Sequence, residues 1–397
     1  MKMFIPLVRI SGISAVIFFL AAFPAAAASP IFIGLDADFS SQAAEAGEAI
    51  KRGTLLAIDE INGAGGLLGR KLTLKSFDHR GNPARGRDQI EILAREENLL
   101  AIMGGLHTPV ALNQLKGIHQ HKILFLIPWA AGTTVVKNGF DPNYVFRVSV
   151  RDEFSGGFLV QQAKHNGAKT LGLMLERTGW GRSNQKAITE AAREAGVRVV
   201  GIEWFHWGVE DLTTSLKTLK KNGAETILLV ANPREGAVAA KNMASLPAKN
   251  RLPIISHWGI TGAKFVDLVG EETLQAVDLK ILQTFSFLAP PIQEKSDRLY
   301  QIYKTKFGDV NSPREISSPP GVAHAYDLMH LLAKAVTMAG TTERSQVRSA
   351  MEKIQTHDGV MRVYQNPFRP VWHDALNADD FILARYAADG ALEPIQK

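Results

Sequence analysis

The sequence predicts an α/β fold of two doubly wound parallel-sheet lobes, and three observations carry that prediction. Short apolar runs alternate with longer amphipathic ones from Ile31 onward, the alternation restarts after Arg151, and long helical patterns return after Lys280. Alternating strands and helices imply a parallel sheet covered on both faces. Two such runs imply two sheets, and the late helices imply lobes that are discontinuous in sequence. The expected division is residues 29–149 plus 281–357 for lobe 1, and 150–280 plus 358–397 for lobe 2.

The first element is a leader. MKMFIPLVRISGISAVIFFLAAFPAAAASP opens with Lys2 and Arg9, is apolar over positions 10–23 and ends in small residues, the pattern of a cleaved signal peptide over residues 1–28. Its apolar core is shorter than the roughly 20 residues of a spanning helix. The chain has no cysteine, so disulfides, thiolate metal sites and a lipid anchor are excluded. A free periplasmic protein is expected.

Next come IFIGL, AIKRGTLLAIDEIN, KLTLKSF, RDQIEILAREE and LAIMGG, read as strand, helix, strand, helix, strand. In the first helix Ile50, Thr54, Ala57, Ile58 and Ile61 share one face, while Lys51, Asp59 and Glu60 lie off it. Between that helix and the next strand, NGAGGLLGRKL has the glycines of a dinucleotide loop but the wrong context. It leaves a helix and enters a strand, so it reads as a C-cap and turn.

The strand at 100–103 ends in Gly104-Gly105 and passes through Leu106-His107-Thr108-Pro109 into a helix, with Thr108 expected as N-cap and Pro109 as first helical residue. The free amides and the hydroxyl there favour a carboxylate or phosphate. ILFLIP then ends in Trp129-Ala130-Ala131-Gly132-Thr133-Thr134, whose small residues admit a ligand to the backbone. Two such strand ends form the expected crevice of an open α/β sheet. After a connecting stretch at 144–150, strands are read at TLGLML, VRVVGIEWF, TILLV and PIIS. Their helices are led by Gly156, Ser183, Leu212 and Glu235, and further helices follow at 292–307, 321–338 and 342–354.

Several function classes are excluded. The formal charge of +6 falls to +4 without the leader and is scattered, with no Lys or Arg in 203–211, so no nucleic-acid stripe exists. His119 with His121 and His324 with His330 lack the i, i+4 spacing of a helical metal site. There is no G-x-S-x-G elbow, and the acids are spread over helix faces. A non-enzymatic monomer without metal or cofactor is expected.

GLDADFSSQAAEAGEAIKRGTLLAIDEINGAGGLLGRKLTLKSFDHRGNPARGRDQ resembles the opening of type I periplasmic solute-binding proteins of the leucine/isoleucine/valine-receptor group. The likeness continues, in order and spacing, through GGLHTPVALN, IPWAAGTT, ERTGWGRSNQKAITEAAREAG, ANPREGAVAAKNM and GVAHAYDLMHLLAKAV. It implies two lobes joined by a three-segment hinge, closing on a small molecule destined for an inner-membrane ABC permease.

By this resemblance a ligand carboxylate would be held by Thr108 and by groups at Ala130 and Ala131, with Thr133 close by; the family's usual hydroxyl position falls on Ala131. Trp180 matches a second-lobe aromatic, and Asn232 another second-lobe contact. In ISHWGITG the acid that pairs with a ligand ammonium in amino-acid receptors falls on Trp258, with His257 before it. An ammonium buried without a counter-charge costs several kcal/mol. The expectation therefore shifts toward an aromatic or unsaturated organic acid held between Trp180 and Trp258, with Glu235 or Asp211 as second-lobe acids able to restore the charge. The expected role is that of an ABC importer's substrate-binding protein; the alternative is a ligand-sensing receptor for a membrane sensor kinase.

Overall fold

The computed structural model describes residues 1–4 and 29–395, so all but the first four positions of the expected leader lie outside the described residues. The first lobe is built on β1 (Ile31–Ala37), β2 (Leu72–Asp78), β3 (Leu99–Met103), β4 (Leu124–Ile127) and β5 (Val145–Arg147), all parallel, in the order β2-β1-β3-β4-β5. Between them run α1 (Ala44–Gly63), α2 (Pro83–Leu93), α3 (Thr108–Gln120) and the short α4 (Thr133–Val136). β3 and β4 are buried at every residue, as a strand covered on both faces must be. The strand order reverses between β1 and β3, and the crevice beyond their carboxyl ends is where an open α/β sheet binds ligands. β5 is the fifth strand of this sheet, although the sequence reads 144–150 only as a connection.

The second lobe opens with α5 (Asp152–His165), β6 (Thr170–Glu176), α6 (Gly179–Ala195), β7 (Arg198–Phe205), α7 (Thr213–Lys221), β8 (Thr226–Val230), α8 (Pro233–Ser245), β9 (Ile254–Ser256), α9 (Phe265–Val269), α10 (Glu271–Ala276) and β10 (Leu279–Gln283). Two helices start earlier than their apolar periodicity suggests. In α5, Asp152 and Glu153 occupy the first turn, where the helix dipole favours acids. In α6, Thr178 caps the amides of Trp180 and Gly181 through its Oγ1. Gly181 belongs inside that helix because a Cβ there would lie 1.8 Å from the Glu176 carbonyl.

The chain then returns to the first lobe with α11 (Gln293–Phe307), α12 (Pro319–Ala339) and α13 (Arg344–Met351). α12 lies so close to α1 that a Cβ on Gly53 would meet the Val322 carbonyl at 2.2 Å. The hairpin of β11 (Thr356–Asp358) and β12 (Val363–Gln365) is tied to α12 by Asp327. This carboxylate accepts from the amides of Val360 (2.8 Å) and Met361 (2.9 Å) and from the Tyr364 hydroxyl (2.8 Å), and burial pushes its carboxyl up. The last strands, β13 (Ile382–Tyr386) and β14 (Leu392–Pro394), join the second sheet antiparallel, giving the order β14-β13-β10-β9-β8-β6-β7. Residues 281–283 thus pair within the second sheet, and 358–365 pack on a first-lobe helix, on the opposite sides of the division read from sequence.

Two of the crossing segments are zipped together. Arg147 N–H donates to the His373 carbonyl and Ala375 N–H to the Arg147 carbonyl, both at 2.9 Å. The buried Asp374 carboxylate accepts from Arg147 Nε and, at 2.9 Å, from Arg151 Nη1. Arg147 Nη1 also donates to the carbonyls of Ala130 and Gly132, both at 3.0 Å. No helix among the described residues is long and apolar enough to cross a membrane.

Candidate functional site

The carboxyl ends of the two sheets face each other, and the lobes meet there. Ser318 Oγ donates to the Thr261 carbonyl (2.6 Å), Thr133 N–H donates to Ser183 Oγ (3.2 Å), and the rings of Trp129 and Trp258 stack across the gap at 4.6 Å and 19°.

On the first-lobe wall, Asp38 follows β1 and His107 precedes α3, so the pair straddles the point where strand order reverses. Asp38 accepts from Ser41 N–H (2.8 Å), Ala43 N–H (3.2 Å) and the Ser41 hydroxyl, and its Oδ2 lies 3.2 Å from His107 Nε2. Burial pushes the Asp38 carboxyl up, but the hydrogen bonds from His107 and Ser41 outweigh it and hold the group below the usual carboxylate range. His79 accepts the Gly81 amide at Nδ1 (3.0 Å), so its hydrogen sits on Nε2. Burial, helped by His107, pulls this imidazole down to about 3.

On the second-lobe wall, fully buried Glu176 closes β6. It accepts from the Thr178 hydroxyl (2.6 Å), Asn232 Nδ2 (2.8 Å) and Trp207 Nε1 (2.9 Å). Burial pushes it up to about 7, and Glu235 adds to the shift. The Trp207 ring lies 5.6 Å from the His107 ring of the other lobe.

The residues singled out from sequence fall into two corners and one outlier. In the first corner Thr108 is the first residue of α3 and His107 is the N-cap, with no side-chain capping bond. The Thr108 hydroxyl instead accepts the Gly132 amide at 3.1 Å, which ties the helix to the loop it was expected to share a ligand with. Ala130 N–H donates to the Gly105 carbonyl (2.7 Å), the Ala131 carbonyl accepts from Asp152 N–H (2.9 Å), and Thr133 Oγ1 accepts from Glu153 N–H (3.3 Å).

In the second corner Trp180 Nε1 donates to Asp152 Oδ1 (3.2 Å), and its ring meets His257 edge-on at 4.9 Å. His257 Nδ1 accepts the Trp258 amide (2.9 Å), so Nε2 is the donor; it faces Ser155 Oγ (3.1 Å) and Asp152 Oδ1 (3.3 Å). A serine nucleophile needs a free imidazole nitrogen beside it and a carboxylate on the other. Here both partners share one nitrogen, so no relay forms. Asn232 is the outlier, its side chain committed to Glu176.

The expectation of two open indole walls is corrected. Trp258 is 1% exposed and its face is covered by Trp129, while Trp180 turns to His257. Sequence reading missed Trp129, Asp38, Glu176 and Asp152. An acid ending an otherwise apolar strand, as in LMLE before RTGWG, is the signal that could have exposed Glu176.

A family model described as periplasmic binding protein matches residues 30–391. The chain belongs to the periplasmic binding protein family. A relative from Brucella melitensis, Leu/Ile/Val-binding protein homolog 3, is 25% identical over 225 residues, 56% of this chain and 60% of the relative; the match spans less than two thirds of that relative's length. A solved periplasmic binding protein type 1 from Bordetella pertussis Tohama I superposes with a TM-score of 0.82 at 23% identity, covering 92% of this chain and all of that one. A solute-binding protein of an ABC transporter from R. palustris, solved with 4-hydroxybenzoate, gives 0.78 at 16% identity, covering 93% and 96%. At these identities the solved chains establish the fold.

For this periplasmic binding protein, Thr108→Ala is expected to cost about 1–3 kcal/mol without any ligand, because it strands the buried Gly132 amide. Urea unfolding at constant slope is the check. No loss of stability would show that the Thr108–Gly132 bond is not formed in solution.

Proposed function

We propose that this protein captures a small carboxylate-bearing solute between its lobes in the periplasm and delivers it to an inner-membrane ABC importer. The observation that carries this reading is the convergence of both sheets' strand ends on one interlobe face, with the loop Ala130–Thr133 and Thr108 on one side and Trp180 with His257 on the other. Closure around a solute is favoured only by the solute's higher affinity for the closed form. The ligands of similar proteins support the chemistry, since leucine, isoleucine, valine and 4-hydroxybenzoate all carry a carboxylate. The Ser155, His257 and Asp152 geometry supports binding without turnover.

Thermal-shift screening of amino acids, aliphatic acids and aromatic acids tests the reading. A ligand at 100 times its dissociation constant adds about 2.7 kcal/mol of stability, so at least one carboxylate is expected to raise the melting temperature and to be recovered unchanged. A screen in which amides and sugars bind but no carboxylate does would overturn it, as would recovery of an altered solute.

A further inference from the structure

Where α9 and the β13–β14 hairpin approach the start of α12, the lobes enclose a cavity of about 460 Å³, lined by Ile316 and Ser318 of the first lobe and by Lys264, Phe265 and Tyr386 of the second. Packing on this flank is thin, and polar side chains span it. Ser318 Oγ donates to the Thr261 carbonyl (2.6 Å). Arg314 crosses from the first lobe to the hairpin of the second: its Nε donates to Asp389 Oδ2 (2.7 Å), and its Nη2 to Asp389 Oδ1 and Glu393 Oε1 (both 3.0 Å). A guanidinium fork matched to a carboxylate in this way fixes direction as well as distance.

Both ends of the bridge are braced within their own lobe. On the first, Asp309 accepts from Arg52 Nη1 of α1 (2.6 Å), the Tyr300 hydroxyl of α11 donates to the Asn311 carbonyl (2.9 Å), and Glu315 accepts from Asn311 N–H (3.1 Å). The turn Pro313–Glu315 that bears Arg314 is thereby tied to both helices. On the second, Asp389 also accepts from Ala391 N–H (3.1 Å), and Ala387 N–H closes the hairpin on the Ala391 carbonyl (2.9 Å). Ser318 lies in the left-handed region at φ +49°, which a serine seldom adopts unless its surroundings hold it.

The bridge lies in water, with the side chains of Arg314, Asp389 and Glu393 exposed by 39%, 52% and 34%. They bond to one another rather than to Thr108, Trp180 or His257. An exposed ion pair adds little to folding, yet an equilibrium between open and closed lobes is biased by any contact that only one state makes.

We propose that Arg314, Asp389 and Glu393 form an ionic clasp that favours the closed form without solute, from outside the crevice. Its bias on closure is independent of what the crevice holds; its effect on solute release rests on the function proposed above. Unlike a crevice side chain, the clasp changes affinity for every solute by the same factor and leaves selectivity alone. High salt loosens it.

Single-molecule energy transfer in the unliganded mature protein tests this, with dyes on Arg87→Cys in α2 and Lys217→Cys in α7, both exposed positions in a chain that has no other cysteine. A closed population is expected at low salt. Arg314→Gln is expected to lower the closed-to-open ratio about two- to fivefold. Asp389→Asn, on the opposite lobe, should act in the same direction, and the double variant should go little further, because both changes remove one contact. Salt at about 1 M, where the screening length is about 3 Å, should lower the ratio in the unsubstituted protein and leave Arg314→Gln nearly unchanged. Absence of a closed population at low salt, a ratio that neither variant alters, or an equal salt response in Arg314→Gln overturns the clasp. Because no solute is present, each of these results leaves the transport reading intact.

Discussion

Asp374→Ala is expected to cost about 3–5 kcal/mol of stability, far more than loss of an exposed ion pair, because it leaves the buried Arg147 guanidinium without a counter-charge while Arg151 keeps its pair with Glu153. Arg147 and Asp374 are essentially inaccessible and Arg151 is 6% exposed. The aspartate lies between both arginines, and among the described residues no other carboxylate bonds to Arg147. Asp374→Asn keeps the shape and should fall between the two. Lys75→Ala, which breaks the exposed pair with Glu96, should cost less than about 1 kcal/mol. Urea unfolding of the variants reads these differences directly. Equal midpoints for Asp374→Ala and Lys75→Ala would mean that water reaches the hinge and that its charges are not desolvated.

Trp258→Ala should be nearly as damaging, at about 3–5 kcal/mol, the usual cost of removing a large buried aromatic side chain. Part of this loss is peculiar to the closed form, since Trp258 is covered by an indole from the other lobe. A double-mutant cycle with Trp129→Ala separates that part, and a coupling of about 0.5–1.5 kcal/mol is expected for the stacked pair. Zero coupling would show that the rings do not meet in solution. Trp258→Glu, attractive when the position is seen as a vacated acid site, should instead destabilise, because it buries a charge against Trp129.

Much of the fold is legible in the sequence because parallel strands buried on both faces are continuous apolar runs; LFLI and TILLV are examples. The starts of α5 and α6 are less legible, since their first turns contain polar residues and glycines whose place is fixed by tertiary contacts such as Gly181 against Glu176. The loops at Thr108 and Ala130–Thr133 are legible as strand ends because the apolar runs before them and their own small residues are local properties. The pairing of Trp129 with Trp258 was not visible, since it depends on two loops 129 residues apart meeting across the lobes.

Arg147 reaches out of the hinge to hold the carbonyls of Ala130 and Gly132, so the pivot and the first-lobe corner are one rigid body. Opening the lobes therefore swings Trp180, Trp207 and Glu235 away while the corner around Thr108 keeps its shape. An arriving solute meets a half-site that is already formed, and capture is governed by diffusion to that one wall. Residence time is then set by how long the second wall stays shut. Stopped-flow measurements should accordingly find second-lobe substitutions in the dissociation rate and leave the association rate nearly constant.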